Sequence, residues 1–354
     1  SFWLEGENVK AVKWFGAGDV RVGLADEPKL RSDSDALVRP TSACICGTDL
    51  HVYKGELTSV PGSILGHEFM GIVEEVGPAV KGFRPGDRVI SSCWVADGAC
   101  WYCRHGYYTQ CMNINIYGMG PVYGESLDGA FAELVRVPYA DTVLIPAPEN
   151  VPDEKLVTVG DSLATGFEAV VNAGMKPGDF VVVIGCGPVG LYCGMFAQLL
   201  GASTVVAADV VHERLAAAEK LGFVAVDAAE TDVADEVREM TDGVGADFVV
   251  EAVGRTVEPL LKAIETVRRK GTVSVVGYHL HEYTIPSGML WLTEKRLVFS
   301  IGDPIRNGET LTKYVKHNRI DPSKIITHRI TLEEVPQGFE MFAKKQALKV
   351  FVKI

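Results

Sequence analysis

The pattern of hydrophobic and polar positions divides the chain into two regions. Up to about residue 160, short apolar runs such as VKAVKW, ALVRPTSA, FMGIVEEVG, DRVIS and AFAELVRV are separated by glycine and proline turns. Such runs are typical of a small all-β, barrel-like domain. From about Asp161, continuous apolar strands such as FVVVIG and STVVAAD alternate with helical segments. This alternation predicts an α/β domain whose parallel sheet is covered by helices on both faces.

The alternation stops after about Gly302, where ITLEEVPQGFEMFAKKQ has helical spacing and VFVKI is strand-like. We therefore expect residues 303–354 to return to the first domain, residues 1–161, with residues 162–302 forming an inserted domain. The apolar stretch Phe180–Ala202 has the length of a membrane span. Because glycines and a proline interrupt it, we interpret it as strand, turn and helix in a globular domain.

Composition narrows the possible partners. The 354 residues are 47% hydrophobic and 23% charged, and a chain of this length fits two domains. Its net charge is −12, so neither nucleic acid nor an anionic membrane is an expected partner. The first residues, SFWLEGENVK, lack the features of a secretory signal, and we expect a cytoplasmic protein. In that compartment the eight cysteines favour metal binding over disulfides.

The sequence GCGPVG follows the strand FVVVI and precedes a helical segment, which is the context in which GxGxxG indicates dinucleotide binding. The first glycine allows a tight turn, the second lets the pyrophosphate approach, and the third lets the helix pack on the strand. The free N–H groups of the helix N-terminus favour phosphate. The predicted cofactor residues of this motif are Gly185, Gly187, Pro188, Val189 and Gly190.

The next strand, STVVAAD, ends at Asp209, near the position of the acid that binds the adenosine ribose. A carboxylate there accepts hydrogen bonds from ribose hydroxyls and repels a 2′-phosphate, so the sequence favours NAD over NADP. Arg214 is a further candidate beside the adenosine, and Val253, after the strand DFVVE, is a further candidate cofactor residue.

Cys46, in CGTDLH, and His67, in GHEF, provide one thiolate and one imidazole, which are both good zinc ligands. A lone cysteine and a lone histidine are more often structural. Asp49, His51 and Glu68 cluster around them, however, and a ligating imidazole needs a carboxylate or carbonyl behind it.

The motifs CGTDLH, GHEFMG, GPAVKGFRPGDRV and GCGPVG, in this order, resemble the zinc-containing alcohol dehydrogenases of the medium-chain dehydrogenase/reductase superfamily, over about Lys10 to Ile354. ICGTDLHVYKG, LGHEFMG and DSLATGFEAV are most similar to the formaldehyde-dehydrogenase-like group. The resemblance implies a GroES-like catalytic domain, a Rossmann domain and an active site in the cleft between them. It also implies hydride transfer between NAD(H) and an alcohol or the corresponding carbonyl, and a homodimer or homotetramer.

The resemblance also implies roles for individual residues. A catalytic zinc would be held by Cys46, His67 and Asp161, although Asp161 precedes SLATGFEAV and could instead cap that helix. Such a zinc keeps one open position and acts as a Lewis acid on the substrate oxygen. Its neighbourhood would contain Glu68 and Asp49 near the metal, Thr48 and His51 as a proton relay, and Lys349 near the pyrophosphate.

A second zinc is expected in DGACWYCRHGYYTQC. Many members of the resembled family carry four cysteines at the spacing C-x2-C-x2-C-x7-C, which forms a closed structural site. Here the first position is Asp97, followed by Cys100, Cys103 and Cys111. We therefore expect a zinc held by one oxygen and three sulfurs, two zincs per subunit in total, although a lobe that has lost its metal is the alternative.

Three other classes of protein share part of this pattern. Zinc-free quinone or enoyl reductases of the same superfamily lack the Cys, His and acid set. A non-catalytic NAD-binding protein would not need the ligand and relay residues, and polyol or threonine dehydrogenases share the CGTD motif. By family position and apolar character, the substrate pocket is predicted to be formed by residues suited to a hydrophobic alcohol, namely Cys93, Trp94, Tyr117, Met119, Met289 and Trp291.

Overall fold

The computed structural model describes residues 8–57, 59–279 and 281–354, so most of the N-terminal segment examined for a secretory signal lies outside the described residues. The chain forms two compact units. The first unit contains the described residues up to Ala164 together with Asp303–Ile354, and the second is Thr165–Gly302. The boundary therefore follows Ala164, three residues beyond the predicted one, and helix α5, Ser162–Val171, crosses it.

The first unit is mainly antiparallel. Its strands are β1 Asn8–Gly16, β2 Asp19–Asp26, β3 Ala36–Ile45, β4 Glu68–Val76, β5 Arg88–Ser91, β6 Trp94–Val95, β7 Asn115–Ile116, β8 Val135–Val137, β9 Leu144–Pro146, with β16 His328–Thr331 and β17 Val350–Lys353 from the C-terminal segment. A seven-stranded sheet has the order β16-β17-β3-β4-β5-β9, with β8 also paired to β3. Strand β17 pairs antiparallel with β3, Val352 opposite Ala43, which places the C-terminal segment in the first unit.

Short helices connect these strands because turns and glycines interrupt the apolar runs. They are α1 Gly47–Tyr53, α2 Trp101–Arg104, α3 Ala140–Val143 and α4 Asp153–Leu156, followed in the C-terminal segment by α11 Pro304–Lys316 and α12 Val335–Ala343. Single 3-10 turns occur at Tyr108–Gln110, Gly120–Tyr123, Val157–Gly160, Pro322–Ile325 and Leu332–Glu334. Apolar side chains of the strands and of α12, such as Phe69 and Phe339, form the core of this unit together with Phe131 from a connecting segment.

The second unit is the parallel α/β domain that the sequence predicts. Its strands are β10 Phe180–Ile184, β11 Thr204–Asp209, β12 Val224–Asp227, β13 Ala246–Glu251, β14 Val267–Val275 and β15 Arg296–Phe299, in the sheet order β12-β11-β10-β13-β14-β15. Every pairing in this sheet is parallel. The intervening helices are α6 Pro188–Leu199, α7 His212–Lys220, α8 Val233–Met240, α9 Glu258–Thr266 and α10 Ser287–Thr293.

The topology of this sheet selects one edge for a ligand. The strand order reverses between β10 and β13, and the carboxyl ends of parallel strands meet at a common edge. The GCGPVG turn follows β10, Asp209 ends β11, and Val253 follows β13. The GCGPVG turn, Asp209 and Val253 therefore lie at the edge of the sheet where the strand order reverses, which is where ligands bind in open parallel sheets.

The interpretation of Phe180–Ala202 is confirmed, because β10 and α6 occupy it with a turn between them. Among the described residues, no helix is long and apolar enough to cross a membrane.

Candidate active site

Three potential metal ligands converge inside the first unit. One ligand atom from each of Cys46, His67 and Asp161 lies within 4.8 Å of the others. Nε2 of His67 is 3.2 Å from Oδ2 of Asp161. That nitrogen is buried, yet it makes no hydrogen bond to any part of the chain that the structure describes. A buried nitrogen without a hydrogen bond is costly, and a cation among the three groups would satisfy it.

Asp49 fixes the two ligands that the sequence separates by twenty residues. Cys46 is the N-cap of α1, and its backbone N–H donates to Oδ2 of Asp49 over 2.9 Å. The other carboxylate oxygen, Oδ1, lies 2.9 Å from Nδ1 of His67, which directly precedes β4. Since Nδ1–H donates to this carboxylate, Nε2 keeps its lone pair for a metal. Asp49 has no exposed surface.

The third ligand is positioned by a glycine contact. Asp161 follows the 3-10 turn Val157–Gly160, which lies against β5. A Cβ atom on Gly160 would lie only 2.1 Å from the carbonyl oxygen of Ser91, so a larger residue would push the turn away. The backbone N–H of Cys93 donates to the Gly160 carbonyl over 2.8 Å. Close backbone packing therefore carries the Asp161 carboxylate to the cysteine and histidine.

Glu68 lies beside this cluster with partners that the sequence analysis did not identify. Its Oε1 accepts the backbone N–H of Ser162 over 3.1 Å and also the Ser162 hydroxyl, while its Oε2 accepts the ammonium of Lys349. Burial raises the pKa of Glu68, and Lys349 opposes that shift. Lys349, which the resemblance places near a pyrophosphate, has no exposed surface, and its ammonium is paired with Glu68.

The charges explain why the cluster suits a cation. Burial, followed by the charge of Asp161, raises the pKa of Cys46 to about 11. Burial also opposes ionisation of Asp161, but His67, Lys349 and Cys46 together outweigh this effect and lower the pKa of Asp161 to about 2. A divalent cation would favour the thiolate and compensate the carboxylate. One sulfur, one nitrogen and one oxygen fit a zinc ion with one position left for substrate.

The predicted relay residues lie on α1. Oγ1 of Thr48 is 3.9 Å from the Cys46 sulfur. Nδ1 of His51 is 2.5 Å from Oε2 of Glu56. His51 is buried, so Glu56 gives it an acidic partner away from bulk water. Glu56 is not among the residues predicted from the sequence, although an acid five residues after a candidate relay histidine is a signal for such a pair.

The predicted substrate residues do not share one environment. Tyr117 and Met119 have no exposed surface and belong to the core of the first unit, so their prediction as pocket walls is wrong. Their apolar character serves the core of the barrel instead. Trp94 is half-buried. In the second unit, Trp291 is 82% exposed on α10 and Met289 lies near it with partial exposure.

A second cluster lies elsewhere in the first unit. Ligand atoms of Asp97, Cys100, Cys103 and Cys111 all lie within 4.8 Å of one another. The Cys100 sulfur is 3.5 Å from that of Cys103 and 3.9 Å from that of Cys111. A disulfide would need about 2.05 Å, whereas a tetrahedral zinc with Zn–S bonds of about 2.3 Å separates its sulfurs by about 3.8 Å. The spacing therefore fits a closed metal site.

Backbone groups favour the charged forms of Cys100 and Asp97, whereas burial raises the pKa values of the Cys103 and Cys111 thiols. The amides of Cys103 and Met112 lower the pKa of the Cys100 thiol. Oδ1 of Asp97 accepts the backbone N–H groups of Ala99 and Cys100, at 2.8 and 3.0 Å. These bonds outweigh partial burial and hold the pKa of Asp97 well below its usual range.

In the second unit, the three glycines of GCGPVG meet three different constraints. Gly185 has φ of +96°, and a Cβ there would lie 2.7 Å from the Val253 side chain. A Cβ on Gly190 would lie 1.9 Å from the Gly185 carbonyl oxygen, so only glycine lets α6 approach the turn. At Gly187 a Cβ would meet only Arg214, at 4.0 Å. The space over Gly187 is therefore open for a ligand.

Asp209 organises the turn beside it. Its Oδ2 accepts the backbone N–H of Cys186 over 2.7 Å, and its Oδ1 accepts those of Val210 and Val211. Arg214 lies 3.6 Å from the same carboxylate. Pro188 and Val189 open α6, with the helix N-terminus at this turn. The geometry suits a phosphate and a diol, because free helix N–H groups and a carboxylate lie side by side.

Replacing Lys349 with Met should lower the free energy of unfolding in urea by about 3–5 kcal/mol, because it leaves the buried Glu68 carboxylate without its cation. Adding Glu68→Gln should recover most of the loss, since a neutral amide needs no cation. Lys353→Met, at the exposed end of the same strand, is the matched control. Equal losses in the two lysine variants would contradict this account.

Comparisons with known proteins agree with this geometry. Residues 32–148 match the alcohol dehydrogenase GroES-like domain, and residues 188–316 match the zinc-binding dehydrogenase domain. The uncharacterized zinc-type alcohol dehydrogenase-like protein AdhB of Bacillus subtilis is 34% identical, over 98% of this chain and 100% of AdhB.

Solved structures give the same result. The alcohol dehydrogenase TADH from Thermus sp. ATN1 superposes with a TM-score of 0.92 and 37% identity, over 97% of this chain and 99% of TADH. A putative zinc-binding dehydrogenase from Sinorhizobium meliloti 1021, bound to NADP, has a TM-score of 0.87 and 29% identity. The match covers 98% of this chain and 100% of that protein's chain. These matches confirm the resemblance drawn from the motifs, and the chain belongs to the zinc-type alcohol dehydrogenases of the medium-chain dehydrogenase/reductase superfamily.

Proposed function

We propose that this oxidoreductase is an NAD-linked alcohol dehydrogenase whose catalytic zinc is held by Cys46, His67 and Asp161. The observation that carries the proposal is the convergence of these three ligand atoms within 4.8 Å around the unsatisfied Nε2 of His67. Three protein ligands leave one position open, which distinguishes a catalytic site from a closed structural one.

Other residues of the chain position the metal ligands and move the substrate proton. A bound zinc supplies Lewis acidity toward the substrate oxygen, and a bound nicotinamide accepts or returns the hydride. Asp49 holds Cys46 and His67 in place, and Lys349 with Ser162 holds Glu68 beside the cluster. Thr48 and His51 move the substrate proton outward, with Glu56 stabilising the imidazole when it is protonated.

Replacing Cys46 with Ala should remove one zinc per subunit and lower alcohol-dependent NADH formation on the order of 1000-fold, because the Lewis acid is lost. The control is Cys193→Ala, which replaces a buried cysteine of the second unit. It should retain the zinc content and the activity of the unmodified enzyme. Elemental analysis and absorbance with hydrophobic alcohols, sorbitol and threonine give the readout. Full activity after zinc depletion would refute the proposal, and activity with polyols or threonine alone would identify the alternative enzyme class.

We also propose NAD as the preferred cofactor. The support is Asp209, whose carboxylate is fixed by three backbone N–H groups at the end of β11, where the adenosine ribose binds in this fold. A fixed negative charge accepts ribose hydroxyls and repels a 2′-phosphate. Arg214 lies 3.6 Å from that charge, so the carboxylate partly neutralises a nearby guanidinium that would attract a phosphate.

The unmodified enzyme should therefore use NAD with a kcat/KM at least about 100-fold above that for NADP, since placing like charges together costs several kcal/mol. Asp209→Asn keeps the hydrogen-bond acceptor but removes the charge. It should lower the ratio of kcat/KM for NAD to kcat/KM for NADP about tenfold. Glu230→Gln, an exposed acid of the same unit, should leave the ratio unchanged. Equal kcat/KM values for the two cofactors in the unmodified enzyme would rule out this assignment.

His51→Gln should slow alcohol oxidation by about 100-fold at low pH and much less at high pH, because hydroxide can take the proton when the relay is absent. Glu56→Gln should produce a weaker effect of the same sign, since it removes only the partner of the imidazole. His317→Gln, at an exposed site, is the control. A pH–rate profile of His51→Gln that parallels that of the unmodified enzyme would exclude His51 from the relay.

We propose a second, structural zinc at Asp97, Cys100, Cys103 and Cys111. The support is the sulfur spacing of 3.5 and 3.9 Å and the backbone amides that favour the charged forms of Cys100 and Asp97. Aspartate is a harder ligand with a shorter reach than cysteine. This site should therefore bind zinc more weakly than a four-cysteine site.

Undialysed protein should contain two zincs per subunit, and Cys103→Ser should contain one, because the closed site needs all four ligands. Cys193→Ser should still contain two. Asp97→Asn should lose the second zinc at a lower chelator concentration than the unmodified chain. One zinc from the start, with Cys100, Cys103 and Cys111 all reacting as free thiols, would disprove the structural site.

We further propose that the enzyme is a cytoplasmic homodimer or homotetramer. The support for self-association is β15, an edge strand of the second unit's sheet, which ends at the exposed Phe299 and is followed two residues later by the exposed Ile301. An edge strand with exposed apolar residues is stabilised by pairing with another copy.

A further inference from the structure

A buried carboxylate lies at the carboxyl end of β13, at the edge of the second unit's sheet where the strand order reverses. Glu251 is the last residue of β13 and has no exposed surface. Its Oε1 accepts the backbone N–H groups of Val253 and Gly254 over 2.8 and 2.7 Å. The carboxylate therefore fixes the bend by which the chain leaves β13. Glu251 is not among the residues predicted from the sequence.

The other oxygen of this carboxylate contacts a histidine from the segment after β14. Nε2 of His279 lies 3.0 Å from Oε2 of Glu251. Because a carboxylate only accepts hydrogen bonds, the imidazole N–H is the donor. The ring of His279 packs edge-on against that of Tyr283, with 5.4 Å between the centroids, and the Tyr283 hydroxyl donates to the carbonyl of Arg255. The imidazole therefore connects the segment after β14 to the carboxylate at the end of β13.

Glycines bring these two segments into direct backbone contact. A Cβ on Gly254 would lie 2.4 Å from the backbone nitrogen of Tyr278, and a Cβ on Gly277 would lie 2.6 Å from Oε2 of Glu251. The backbone N–H of Gly277 also donates to the carbonyl of Glu251 over 3.0 Å. The pair formed by Glu251 and His279 thus lies between two closely packed backbone segments, and a change in the pair moves both.

Val253 is the residue that this arrangement places beside the cofactor motif. A Cβ on Gly185 would lie 2.7 Å from the Val253 side chain. The backbone N–H of Ala252 donates over 2.9 Å to the carbonyl of Ile184, which directly precedes Gly185. Val253 is nevertheless 44% exposed. It therefore packs on the GCGPVG turn and still presents apolar surface at the edge where a ligand binds in this fold.

The strand order indicates which half of a dinucleotide lies beside Val253. In this fold the pyrophosphate binds at the glycine-rich turn after β10, and the adenosine ribose binds at the acid that ends β11, here Asp209. Strand β13 lies on the opposite side of β10 from β11. A dinucleotide that crosses this edge of the sheet would therefore have its nicotinamide half on the side of β13.

We propose that Glu251 and His279 are positioning residues for the nicotinamide half of the cofactor. The imidazole holds the carboxylate, and the carboxylate holds the backbone of Val253 and Gly254, so that the apolar side chain of Val253 packs against that half. This inference rests on the proposed NAD-linked function and adds two residues to its cofactor site. Because Glu251 has no exposed surface, it acts through Val253 and does not touch the cofactor.

The test compares binding of the whole cofactor with binding of its adenosine half. Isothermal titration calorimetry of the full-length protein, without alcohol, gives the dissociation constants of NADH and of AMP. His279→Leu should weaken NADH binding about tenfold, which is the effect of losing one hydrogen bond to a charged group. It should change AMP binding less than about twofold, since Asp209 and the GCGPVG turn are unaltered.

Matched variants separate positioning from a general loss of structure. His279→Gln keeps an N–H donor of similar reach and should bind NADH within about threefold of the unmodified protein. His279→Asn is polar but too short to reach the carboxylate, so it should behave like His279→Leu and replaces that variant if it does not fold. His281→Leu, at an exposed site two residues further on, is the control and should bind both ligands normally.

A double-mutant cycle assigns the effect to Val253. In a Val253→Ala background, His279→Leu should weaken NADH binding by less than about twofold more, because the side chain that the pair positions is already gone. Additive effects of the two substitutions would overturn the proposal.

Equal losses of NADH and AMP affinity in His279→Leu would also overturn it, and so would unchanged NADH affinity in that variant. If the unmodified protein binds neither NADH nor NADPH, the proposed cofactor site itself fails. That outcome is distinct from a protein that binds NADH equally well with and without the imidazole.

Discussion

The Asp49 carboxylate connects the two parts of the metal site. One oxygen accepts the Cys46 amide and the other receives the His67 ring, so a single buried group sets both the start of α1 and the orientation of the imidazole. Because Asp49 has no exposed surface, water does not compete for either bond. The direction of the Nε2 lone pair, and with it the position that a metal would take, depends on this arrangement.

Charge balance around that site follows from burial. Asp49, Glu68 and Asp161 lie close to His67 and Cys46 in a poorly solvated interior, where unpaired negative charge is costly. Lys349 offsets one of these carboxylates. A divalent cation at the common centre would supply the missing positive charge.

Close backbone contacts set the precision of both ligand sites. Gly160 lets the turn before Asp161 pack against Ser91, and Gly190 lets α6 approach the turn at Gly185. In each case a single methyl group would overlap a carbonyl oxygen. The functional groups are therefore placed by the absence of side chains as much as by their own contacts, which explains why glycine recurs beside the candidate ligands.

Local patterns in the sequence determined the two fold types, the GCGPVG turn with Asp209, and both groups of metal ligands, because strand period, helix period and ligand spacing are short-range properties. Only the tertiary structure decided what depends on packing between distant segments. It paired Lys349 with Glu68 across 281 residues and buried Tyr117 and Met119 in the core. The sequence carries no local signal for these contacts, since burial and charge pairing arise only when the strands that hold these residues come together.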